Sequence, residues 1–540
     1  MNRLSRFLNF RNWALAVCVL FFVTGATFVS HLGLQNDEAL FCNGIFKPYA
    51  VAYTFPWGHN GLPLMLMSYL GTLKAWIYRP LFQWFGAGIE AVRLPMLLAG
   101  AVSVWLFGAL LRRISGQRAA VFGVGLLAAD SLYLLTSCFD WGPVALQHLL
   151  ILGGMLLLLG FYQQGGGWRL AFGSFLLGLA MWDKALAVWM LSGMGLALVL
   201  VFPRQIVRAI SFRRVGVAAL FFVLGALPLI IYNVEKPLAT FRGNATWDIS
   251  DLAGKRRLLA ATADGSALFG WFNNEDWQTK EPHLPNGALE TASARISALA
   301  GHPRHSLMLY AFGLALLLTP LARGPALRGI LFALLAMAVA WVQMAVTANT
   351  GGSAHHAILI WPLPQMVVAL SFASASRRLK RAGVPVLAGV LAVLMVSGAL
   401  VTNEYRVLIM RNGGTVNWTD GIFRLADYMK GMRASNVFCM DWGIMDNSRL
   451  LSRGKLPLRV GTDPIAKQTL DDVDREYLAQ TISGAGNVFI NHTKGMEFFP
   501  GINDKFVKYA SEAGYRREVM AVIPDGHGRP VYEVYRLVGK

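Results

Sequence analysis

The sequence predicts an α-helical polytopic membrane protein that carries a C-terminal α/β domain outside the membrane. Three observations lead to this fold class. Hydrophobic residues make up 55% of the 540 residues and charged residues only 15%, which is far more apolar than a soluble protein. Apolar stretches long enough to form membrane-spanning helices recur up to about residue 401. Beyond that residue the composition becomes mixed, charged and rich in turn residues.

Eleven apolar stretches predict about eleven transmembrane helices within residues 1–401. Most have the length of roughly 17 to 25 residues that crosses a bilayer as a helix, and a few are shorter. The first stretch is expected to remain as an anchor, because it is too long for a signal peptide and no small-residue cleavage site follows it. The stretches are 13–32, 92–111, 119–135, 144–162, 170–181, 186–202, 215–231, 306–321, 329–348, 358–373 and 384–401.

Basic residues near the span ends predict a cytoplasmic N-terminus, since Lys and Arg accumulate on the inner side. With this orientation the inside segments hold 17 basic residues and no acidic residue. The formal charge of +19 is therefore a consequence of membrane topology, and no nucleic-acid partner is predicted. The inside residues are Arg3, Arg6, Arg11, Arg112, Arg113, Arg118, Arg169, Arg204, Arg208, Arg213, Arg214, Arg323, Arg328, Arg377, Arg378, Lys380 and Arg381.

An odd number of spans places residues 402–540 outside the membrane, and their pattern predicts a small α/β domain. Helix-like and strand-like segments alternate there, and a domain of about 135 residues is large enough to bury its own core. The helix-like segments are 421–433, 472–482 and 503–513, and the strand-like ones are 436–440, 487–491 and two runs that flank Asp525-Gly526.

Two long outer loops, 34–91 and 233–305, precede membrane spans. The first contains an apolar segment over 61–86 with Lys74 and Arg79, which predicts helices that lie at the outer membrane surface. The second is rich in Trp and charge, as is typical of the headgroup boundary.

The four cysteines, Cys18, Cys42, Cys138 and Cys439, lack metal-ligand spacing. Cys42 and Cys138 fall on the same outer side. The sequence leaves open whether they form a disulfide or stay as free thiols, although lone cysteines in outer loops are more often unpaired.

Charged residues collect at the outer ends of the predicted spans. In the segment SCFDWGP, Asp140 is the only charged residue between Ser131 and Trp168. A charge near hydrocarbon is costly and indicates a functional site. An Asp in a turn can equally cap a helix, as Asp140 would for a helix that starts near Pro143. The outer-end residues are Asp37, Glu38, Arg93, Asp130, Asp140, Asp183, Lys184, His355 and His356.

The order of short motifs in the first outer loop resembles the GT-C polytopic glycosyltransferases. These motifs are N-D-E-A-L-F at 36–41, G-L-P-L at 61–64, F-G at 85–86 and R-L-P at 93–95. The closest branches are the protein O-mannosyltransferases and the bacterial aminoarabinose transferases of lipid A. The resemblance covers about 400 residues of the membrane part. It departs at G-L-P-L, where the aminoarabinose branch has K-P-P-L, so the phosphate-binding lysine of that motif is missing.

This resemblance implies a GT-C-like fold and the transfer of a sugar from a polyprenyl-phosphate donor to a hydroxyl acceptor. The reaction would take place on the outer face of a bacterial inner membrane, with inversion at the anomeric carbon. In that family the acid pair opens the active site and the Arg of R-L-P supports it, which correspond here to Asp37, Glu38 and Arg93. The acceptor, whether a lipid, a protein or a glycan, is not readable from the residues.

The chemistry of such a transfer assigns roles by residue type. A carboxylate takes or orients the acceptor proton, and cations hold the phosphate as its charge develops. Asp37 is the predicted base, Glu38 its neighbour or orienter, and Asp140 a hydroxyl-binding carboxylate across the site. The predicted phosphate-binding residues are Arg93, Lys74, Lys184 and Arg242, and the predicted substrate-binding residues are His59, Asp183, His355 and His356.

Cofactor chemistry stays open at this point. No phosphate-binding G-x-x-x-x-G-K-[ST] loop and no G-x-G-x-x-G turn on a strand-helix unit is visible, which argues against a nucleotide-sugar mechanism. His355 and His356 suit a divalent metal together with the acids, and they equally suit contacts to the donor. No metal site is assigned.

Two other classes of protein compete with the glycosyltransferase interpretation. A polytopic transporter or lipid-linked-sugar flippase would place charges or broken helices near the middle of the membrane and would have related halves. A membrane scaffold that displays the tail domain would need no Asp37, Glu38, Arg93 and Asp140 on one side. The gathering of charge at the outer ends, and the lack of a visible repeat, favour the enzyme.

Overall fold

The computed structural model describes residues 10–279 and 281–540 of the chain. Arg3 and Arg6, which the sequence assigns to the inside, lie outside the described residues. The helices of the membrane part, numbered along the chain, are α1 (Phe10–Ala26), α2 (Asn36–Ala39), α3 (Leu73–Phe85), α4 (Ile89–Ser115), α5 (Gln117–Ala128), α6 (Ser131–Cys138), α7 (Val144–Gln164), α8 (Gly167–Asp183), α9 (Ala187–Val201), α10 (Pro203–Ala209), α11 (Phe212–Glu235), α12 (Leu252–Asp264), α13 (Gly287–Leu299), α14 (Met308–Leu318), α15 (Gly324–Val346), α16 (Ala354–Ala357), α17 (Leu363–Arg378) and α18 (Gly383–Asn412).

All eleven apolar stretches overlap these helices, but the stretch 119–135 is divided between α5 and α6, and the stretch 358–373 begins in a short 3-10 helix before α17. Five helices, α4, α7, α11, α15 and α18, are long and apolar enough to cross a membrane. Three helix pairs reach that length together but are bent: α5 with α6 by 61°, α9 with α10 by 100°, and Ala354–Ile360 with α17 by 40°. By length and composition the described residues hold five spans, or up to eight if each bent pair is one. The chain is a multi-pass membrane protein.

Glycines allow helices α8 and α11 to pack at backbone distance. A methyl group on Gly178 would lie 2.1 Å from the carbonyl oxygen of Phe222, and one on Gly225 would lie 2.3 Å from that of Phe175. Small residues are favoured at such crossings, because helices in lipid gain their stability from close van der Waals packing.

The first outer loop combines α2 and α3 with a small antiparallel sheet. Its strands are β1 (Tyr53–Phe55), β2 (Leu62–Met67) and β3 (Leu70–Gly71), in the order β1-β2-β3. The helix predicted over 61–86 is present as α3, residues 62–71 contain strands instead, and a position of α3 at the membrane surface stays a prediction. In a short apolar run the hydrophobic periodicity does not distinguish a strand from a helix. Here residues 62–67 form a strand because they pair with β1, for example Met65 with Tyr53.

The second outer loop carries α12 and α13 and exposes Trp247 and Trp277, as expected for a loop at the headgroup boundary. Two isolated backbone pairings join this loop to the rest of the protein: Trp247 pairs with Thr347, and Asn273 pairs with Gly414. The remaining short 3-10 helices are Leu40–Gly44, Asp276–Gln278, Thr319–Leu321, Ile358–Ile360, Lys380–Ala382 and Val416–Trp418.

The last membrane helix, α18, continues to Asn412, so the predicted domain boundary between residues 401 and 402 lies inside a helix. The tail that follows contains five helices and a five-stranded sheet. They are α19 (Gly421–Lys430), α20 (Met445–Leu451), α21 (Asp463–Ala466), α22 (Asp472–Ser483), α23 (Ile502–Glu512), β4 (Asn436–Cys439), β5 (Leu458–Val460), β6 (Asn487–His492), β7 (Tyr515–Pro524) and β8 (Pro530–Gly539).

The tail sheet has the strand order β5-β4-β6-β8-β7. The three strands β5, β4 and β6 run parallel, and β8 and β7 form an antiparallel hairpin at the other edge. Apolar side chains cover both faces of the sheet, with Val437 and Ile490 in one cluster and Phe438 and Phe489 in the other. The tail is an α/β domain as predicted, with α20, α21 and β5 added to the expected elements.

All four cysteines are free thiols, and Cys42 and Cys138 do not pair. The Cys42 thiol lies 3.5 Å from the carbonyl oxygen of Asp446, and the Cys138 thiol lies 3.4 Å from that of Gly25.

Asp441, at the carboxyl end of β4, holds the segment that follows β6. Its buried carboxylate lies 2.7 Å from Nδ1 of His492 and accepts the backbone N–H groups of Trp442, Phe498 and Phe499 at 2.8 to 3.1 Å. One side chain therefore fixes two loops at the same edge of the sheet.

Replacing Asp441 with Ala should destabilise the tail domain by about 3 kcal/mol or more, because the buried donors around it lose their acceptor. We expect a lower Tm of the detergent-solubilised protein and faster proteolytic cleavage within 493–499. The exposed Asp472→Asn variant is the matched control. Unchanged cleavage in Asp441→Ala would contradict this assignment.

Candidate active site

The one-turn helix α2 separates two adjacent carboxylates. The Gln35 side-chain oxygen caps the helix by accepting the N–H groups of Asp37 at 2.6 Å and Glu38 at 3.2 Å. Successive residues of a helix point roughly 100° apart. As a result Glu38 is fully buried, whereas Asp37 is only half-buried.

Glu38 forms a two-pronged ion pair with Arg93 of α4. The Arg93 Nε lies 2.8 Å from Oε1 of Glu38, and one terminal nitrogen lies 2.9 Å from Oε2. Both side chains are excluded from solvent. Paired geometry of this kind is what a buried carboxylate and guanidinium need to offset their loss of hydration.

The remaining N–H groups of Arg93 bind the turn that follows α1. They donate to the carbonyl oxygens of Val29, Leu32 at 2.9 Å and Gly33 at 2.7 Å. A guanidinium has five N–H donors, and these contacts together with Glu38 use all five. Arg93 therefore has no donor left for a phosphate. Its contacts hold α2 in place, and the phosphate-binding role predicted for Arg93 stays a prediction.

Asp140 both caps a helix and forms an ion pair. Its Oδ1 accepts the N–H of Ala145 at 2.8 Å, near the start of α7. Its Oδ2 lies 3.1 Å from Nζ of Lys74, which also donates to the Asp140 backbone oxygen at 3.1 Å. The helix cap that the sequence offered for Asp140 is thus present, and its functional role stays a prediction.

Lys184 follows the end of α8 and is buried beside this pair. Its Nζ donates to the carbonyl oxygen of Gly142 at 3.0 Å, and its backbone pairs with Leu70 of β3. Burial lowers the pKa of Lys184 to about 8, although the carboxylates of Asp37, Asp183 and Asp140 oppose this shift. Lys184 is thus a buried cation on which the charges of Asp37, Asp183 and Asp140 act, and its one hydrogen bond among the described residues goes to Gly142.

Asp183, the last residue of α8, is completely buried. Neither of its carboxylate oxygens accepts a hydrogen bond from any described residue. Its nearby charges are Asp140, Lys74 and Lys184. A buried carboxylate without hydrogen bonds is costly in free energy, which is typical of a position completed by a ligand.

Asp37 faces the same group of charges. Burial raises the pKa of its carboxyl, while Lys184 and hydrogen bonds from Asn36 and Gln35 lower it in part. The charged cluster therefore comprises three carboxylates, Asp37, Asp140 and Asp183, and two ammonium groups, Lys74 and Lys184.

The two adjacent histidines line one side of this cluster. Nδ1 of His355 accepts a hydrogen bond from Nε1 of Trp141 at 2.6 Å and lies 2.6 Å from Oγ of Ser353. The His355 ring also approaches Gly142, next to Nζ of Lys184. The His356 ring is 4.2 Å from that of His355. Among the described residues no three His, Cys, Asp or Glu side chains are grouped to hold a metal ion.

Two of the residues predicted to bind the substrate or its phosphate, His59 and Arg242, lie outside the charged cluster. His59 is exposed in the loop between β1 and β2. Arg242 is exposed on a turn whose neighbours Thr240 and Asn244 hydrogen-bond to Ser68. The structure leaves both side chains at the surface rather than in the buried cluster, so a role for either in substrate binding stays a prediction.

The structure also adds residues that the sequence analysis missed. Asp446, at the start of α20 in the tail, lies against Asn43 and close to Asp37. Tyr69, in the turn between β2 and β3, is close enough to Asp37 for its pKa to be raised by that charge in addition to burial. Only the β-structure of the first loop and the docking of the tail bring these residues here.

Comparison with known proteins agrees with this fold. Residues 71–232 match the family described as dolichyl-phosphate-mannose-protein mannosyltransferase. The crystal structure of ArnT from Cupriavidus metallidurans bound to undecaprenyl phosphate superposes with a TM-score of 0.59 and 12% sequence identity, over 99% of this chain and 98% of ArnT. The apo oligosaccharyltransferase from Archaeoglobus fulgidus gives a TM-score of 0.50 and 11% identity, over 95% of this chain and 74% of that protein. No curated protein matches the chain in sequence.

The chain is thus a polytopic membrane protein with the fold of the GT-C glycosyltransferases. Within that group it resembles ArnT and the protein mannosyltransferases, which confirms the resemblance found in its motifs.

Replacing Arg93 with Ala should destabilise the protein by about 3–5 kcal/mol, because it leaves Glu38 as an unpaired buried charge. We expect a strongly lowered Tm in detergent, and Arg93→Lys should recover only part of the loss because it has fewer donors. Arg242→Ala, at an exposed position, should leave the Tm unchanged. An Arg93→Ala protein with normal Tm and a raised KM for a lipid-phosphate donor would instead assign Arg93 to substrate binding.

Proposed function

We propose that the protein is a glycosyltransferase that moves a sugar from a polyprenyl phosphate to a hydroxyl group. The observation that carries the proposal is the charged cluster, in which the half-buried Asp37 lies with the buried carboxylates of Asp140 and Asp183 and the buried lysines Lys74 and Lys184. The GT-C fold and the undecaprenyl phosphate bound to ArnT support it. The phosphate of the lipid carrier would bind the lysines of the cluster, and hydroxyl groups of the sugar would donate hydrogen bonds to its carboxylates.

Asp37 is the proposed base. It is the member of the acid pair that remains accessible, since Glu38 is committed to Arg93. Burial keeps its pKa above the ordinary value of a carboxyl, which suits a group that must accept a proton near neutral pH. As the acceptor oxygen attacks the anomeric carbon, Asp37 would take the proton of that hydroxyl.

Lys184 is the proposed main phosphate ligand, with Lys74 beside it. Lys74 already pairs with Asp140, whereas the only hydrogen bond of the Lys184 ammonium among the described residues goes to Gly142. An ammonium has three donors, so Lys184 retains capacity for phosphate oxygens. Its charge would stabilise the leaving polyprenyl phosphate as negative charge builds on it. These lysines would replace the one missing from G-L-P-L.

Asp183 and Asp140 would bind hydroxyl groups of the sugar or the acceptor. Both oxygens of Asp183 are free to accept, and hydroxyls are suitable donors at a buried carboxylate. Direct displacement with inversion at the anomeric carbon, which the resemblance to the GT-C enzymes implies, is part of this proposal. The acceptor, a lipid, a protein or a glycan, is left open, and so is a divalent metal beside His355 and His356.

The proposed location is a bacterial inner membrane with the site and the tail on the outer side. The inside arginines support this orientation, because they occur at the ends opposite the cluster. A transporter or lipid-linked-sugar flippase is the alternative, and the bends in three helix pairs are compatible with it. The two functions differ in whether a covalent bond in the donor is broken.

The direct test supplies purified, reconstituted protein with a panel of polyprenyl-phosphate sugars and measures release of free polyprenyl phosphate. Asp37→Asn should reduce release by about 10²- to 10⁴-fold, the usual contribution of a general base, without a change in Tm. Release that is unaffected in Asp37→Asn would reject Asp37 as the base. Movement of an intact donor between leaflets, without release, would favour the flippase.

Lys184 offers a second, independent prediction. Lys184→Ala should raise the KM for the donor by roughly 10- to 100-fold, as expected for loss of a charge-assisted hydrogen bond of about 1.5–3 kcal/mol. Lys74→Met is the comparison, and it should also lower the Tm because it leaves Asp140 unpaired. An unchanged donor KM in Lys184→Ala would remove Lys184 from the phosphate site.

The pH dependence of donor kcat/KM should be bell-shaped. Asp37 must be ionised, so activity is lost as the pH falls through its raised pKa. Lys184 must be charged, so activity is lost as the pH rises through a pKa of about 8. Lys184→Arg keeps its charge at high pH and should remove the alkaline limb. An alkaline limb that persists in Lys184→Arg would show that another group titrates there.

A further inference from the structure

The turn Asp140-Trp141-Gly142, in the segment SCFDWGP, contacts three groups at the charged cluster. Its first residue pairs with Lys74 at 3.1 Å, and the carbonyl oxygen of its last residue accepts a hydrogen bond from Nζ of Lys184 at 3.0 Å. Its middle residue donates from the indole Nε1 to Nδ1 of His355 at 2.6 Å. The proposed function uses both lysines but gives Trp141 no role.

The contact with Trp141 determines which ring nitrogen of His355 carries the proton. An indole N–H can only donate, so Nδ1 of His355 must be the acceptor and has no proton of its own. The Ser353 hydroxyl, 2.6 Å from the same nitrogen, can donate to it as well. A neutral imidazole has one N–H, and here that N–H is on Nε2. His355 is therefore held as the neutral Nε2–H tautomer.

Aromatic packing keeps the Trp141 indole in this orientation. The side chain is buried, with 1% of its surface exposed. Its ring lies 5.3 Å from that of Phe272 in the second outer loop and 5.5 Å from that of Trp418, which follows α18, and both contacts are edge-to-face. An indole packed on two sides in this way cannot turn its N–H away from His355 without disturbing its neighbours.

The Nε2 edge of the His355 ring faces the same space as the Lys184 ammonium. A methyl group on Gly142 would lie 3.0 Å from Nζ of Lys184, 3.3 Å from Cδ2 of His355 and 3.8 Å from its Nε2. The hydrogen-bond partners of the ring among the described residues, Trp141 and Ser353, both contact Nδ1. Two nitrogens that lie this close to one point can donate to oxygens of the same phosphate.

We propose that Trp141 is a positioning residue, which holds His355 as a neutral hydrogen-bond donor to the phosphate of the lipid-linked sugar beside Lys184. This inference rests on the proposed function, because it places His355 at the phosphate of that same donor. With Nε2 protonated and Nδ1 bound to Trp141, the ring has no lone pair for a metal ion, whereas its N–H matches a phosphate oxygen. Lys184 then supplies charge, and His355 supplies a directed hydrogen bond.

The first test is a double-mutant cycle in the reconstituted full-length protein, with release of polyprenyl phosphate as the readout. Trp141→Phe keeps an aromatic ring and removes the N–H. It should raise the donor KM by about three- to tenfold and leave kcat within about twofold, because the bond to the phosphate is present before and during transfer. His355→Ala should raise the donor KM by about tenfold. In the His355→Ala background Trp141→Phe should have no further effect, because it acts only through that ring.

Trp418→Phe is the matched control. Trp418 belongs to the same aromatic cluster, but its Nε1 has no hydrogen-bond partner among the described residues. The variant should lower the Tm about as much as Trp141→Phe does, without a change in the donor KM. Aromatic packing alone would explain an equal rise of the donor KM in both variants, or an effect of Trp141→Phe that persists in the His355→Ala background. Either result would overturn the inference.

The second test measures the tautomer directly and needs no donor. Nitrogen-15 NMR of imidazole-labelled protein distinguishes protonated from unprotonated ring nitrogens, and the signals of His355 are those absent from His355→Ala. We expect a protonated Nε2 and an unprotonated Nδ1 in the wild type and in Trp418→Phe. Trp141→Phe should show both tautomers, because the Ser353 hydroxyl can pair with either. A wild-type His355 that is protonated at Nδ1 would overturn the assignment.

These outcomes are separable from those of the proposed function. If the wild-type protein releases no polyprenyl phosphate from any donor, the proposed function fails, and the phosphate role of His355 fails with it whatever its tautomer. If the wild type is active and Asp37→Asn is not, but His355→Ala has an unchanged donor KM, only the inference on Trp141 and His355 fails. Far-UV circular dichroism and the Tm of each variant confirm that the comparison involves folded protein.

Discussion

The guanidinium of Arg93 holds the outer end of the membrane domain together. Arg93 is fully buried, so its charge requires a carboxylate and its N–H groups require acceptors. Glu38 and the carbonyl oxygens after α1 provide both. The same contacts fix α2 against α4, and the helical turn then points Asp37 away from Arg93. A structural ion pair and the carboxylate that we propose as the base thus come from neighbouring residues.

The two lysines of the charged cluster also differ in their roles, because one is fully engaged in an ion pair and the other is not. Lys74 is bound by Asp140, which in turn caps α7, so these two residues tie the first outer loop to the helices. Lys184 has a single carbonyl partner and three carboxylates around it. Asp183 has no hydrogen bond from the described residues. Asp183 and Lys184, the two groups with hydrogen-bonding capacity left over, are therefore adjacent in sequence, and the proposed function places the substrate beside them.

Sequence reasoning found the helices and most of the tail because both depend on local patterns. The length of an apolar stretch indicates a membrane span, and the hydrophobic periodicity indicates a helix or a strand. Both properties can be read from a short segment without knowledge of the rest of the chain. The β2 and β3 strands were missed because pairing with β1, not local pattern, selects them. Asp37 and Glu38 were found together, but only burial separates their roles. Asp446 was not predictable, since its position depends on a contact between distant parts of the chain.

The hydrogen bond from Asn447 to Leu34 joins residues that are 413 positions apart in sequence. Closing a loop of that length costs chain entropy and cannot begin until the ribosome has passed Asn447. During synthesis, every membrane helix is therefore made before the loop around Asp37 receives its last support. A nascent chain that has reached Asn412 but not Asn447 contains all of the membrane helices without this contact, so the order of synthesis itself delays completion of the loop around Asp37.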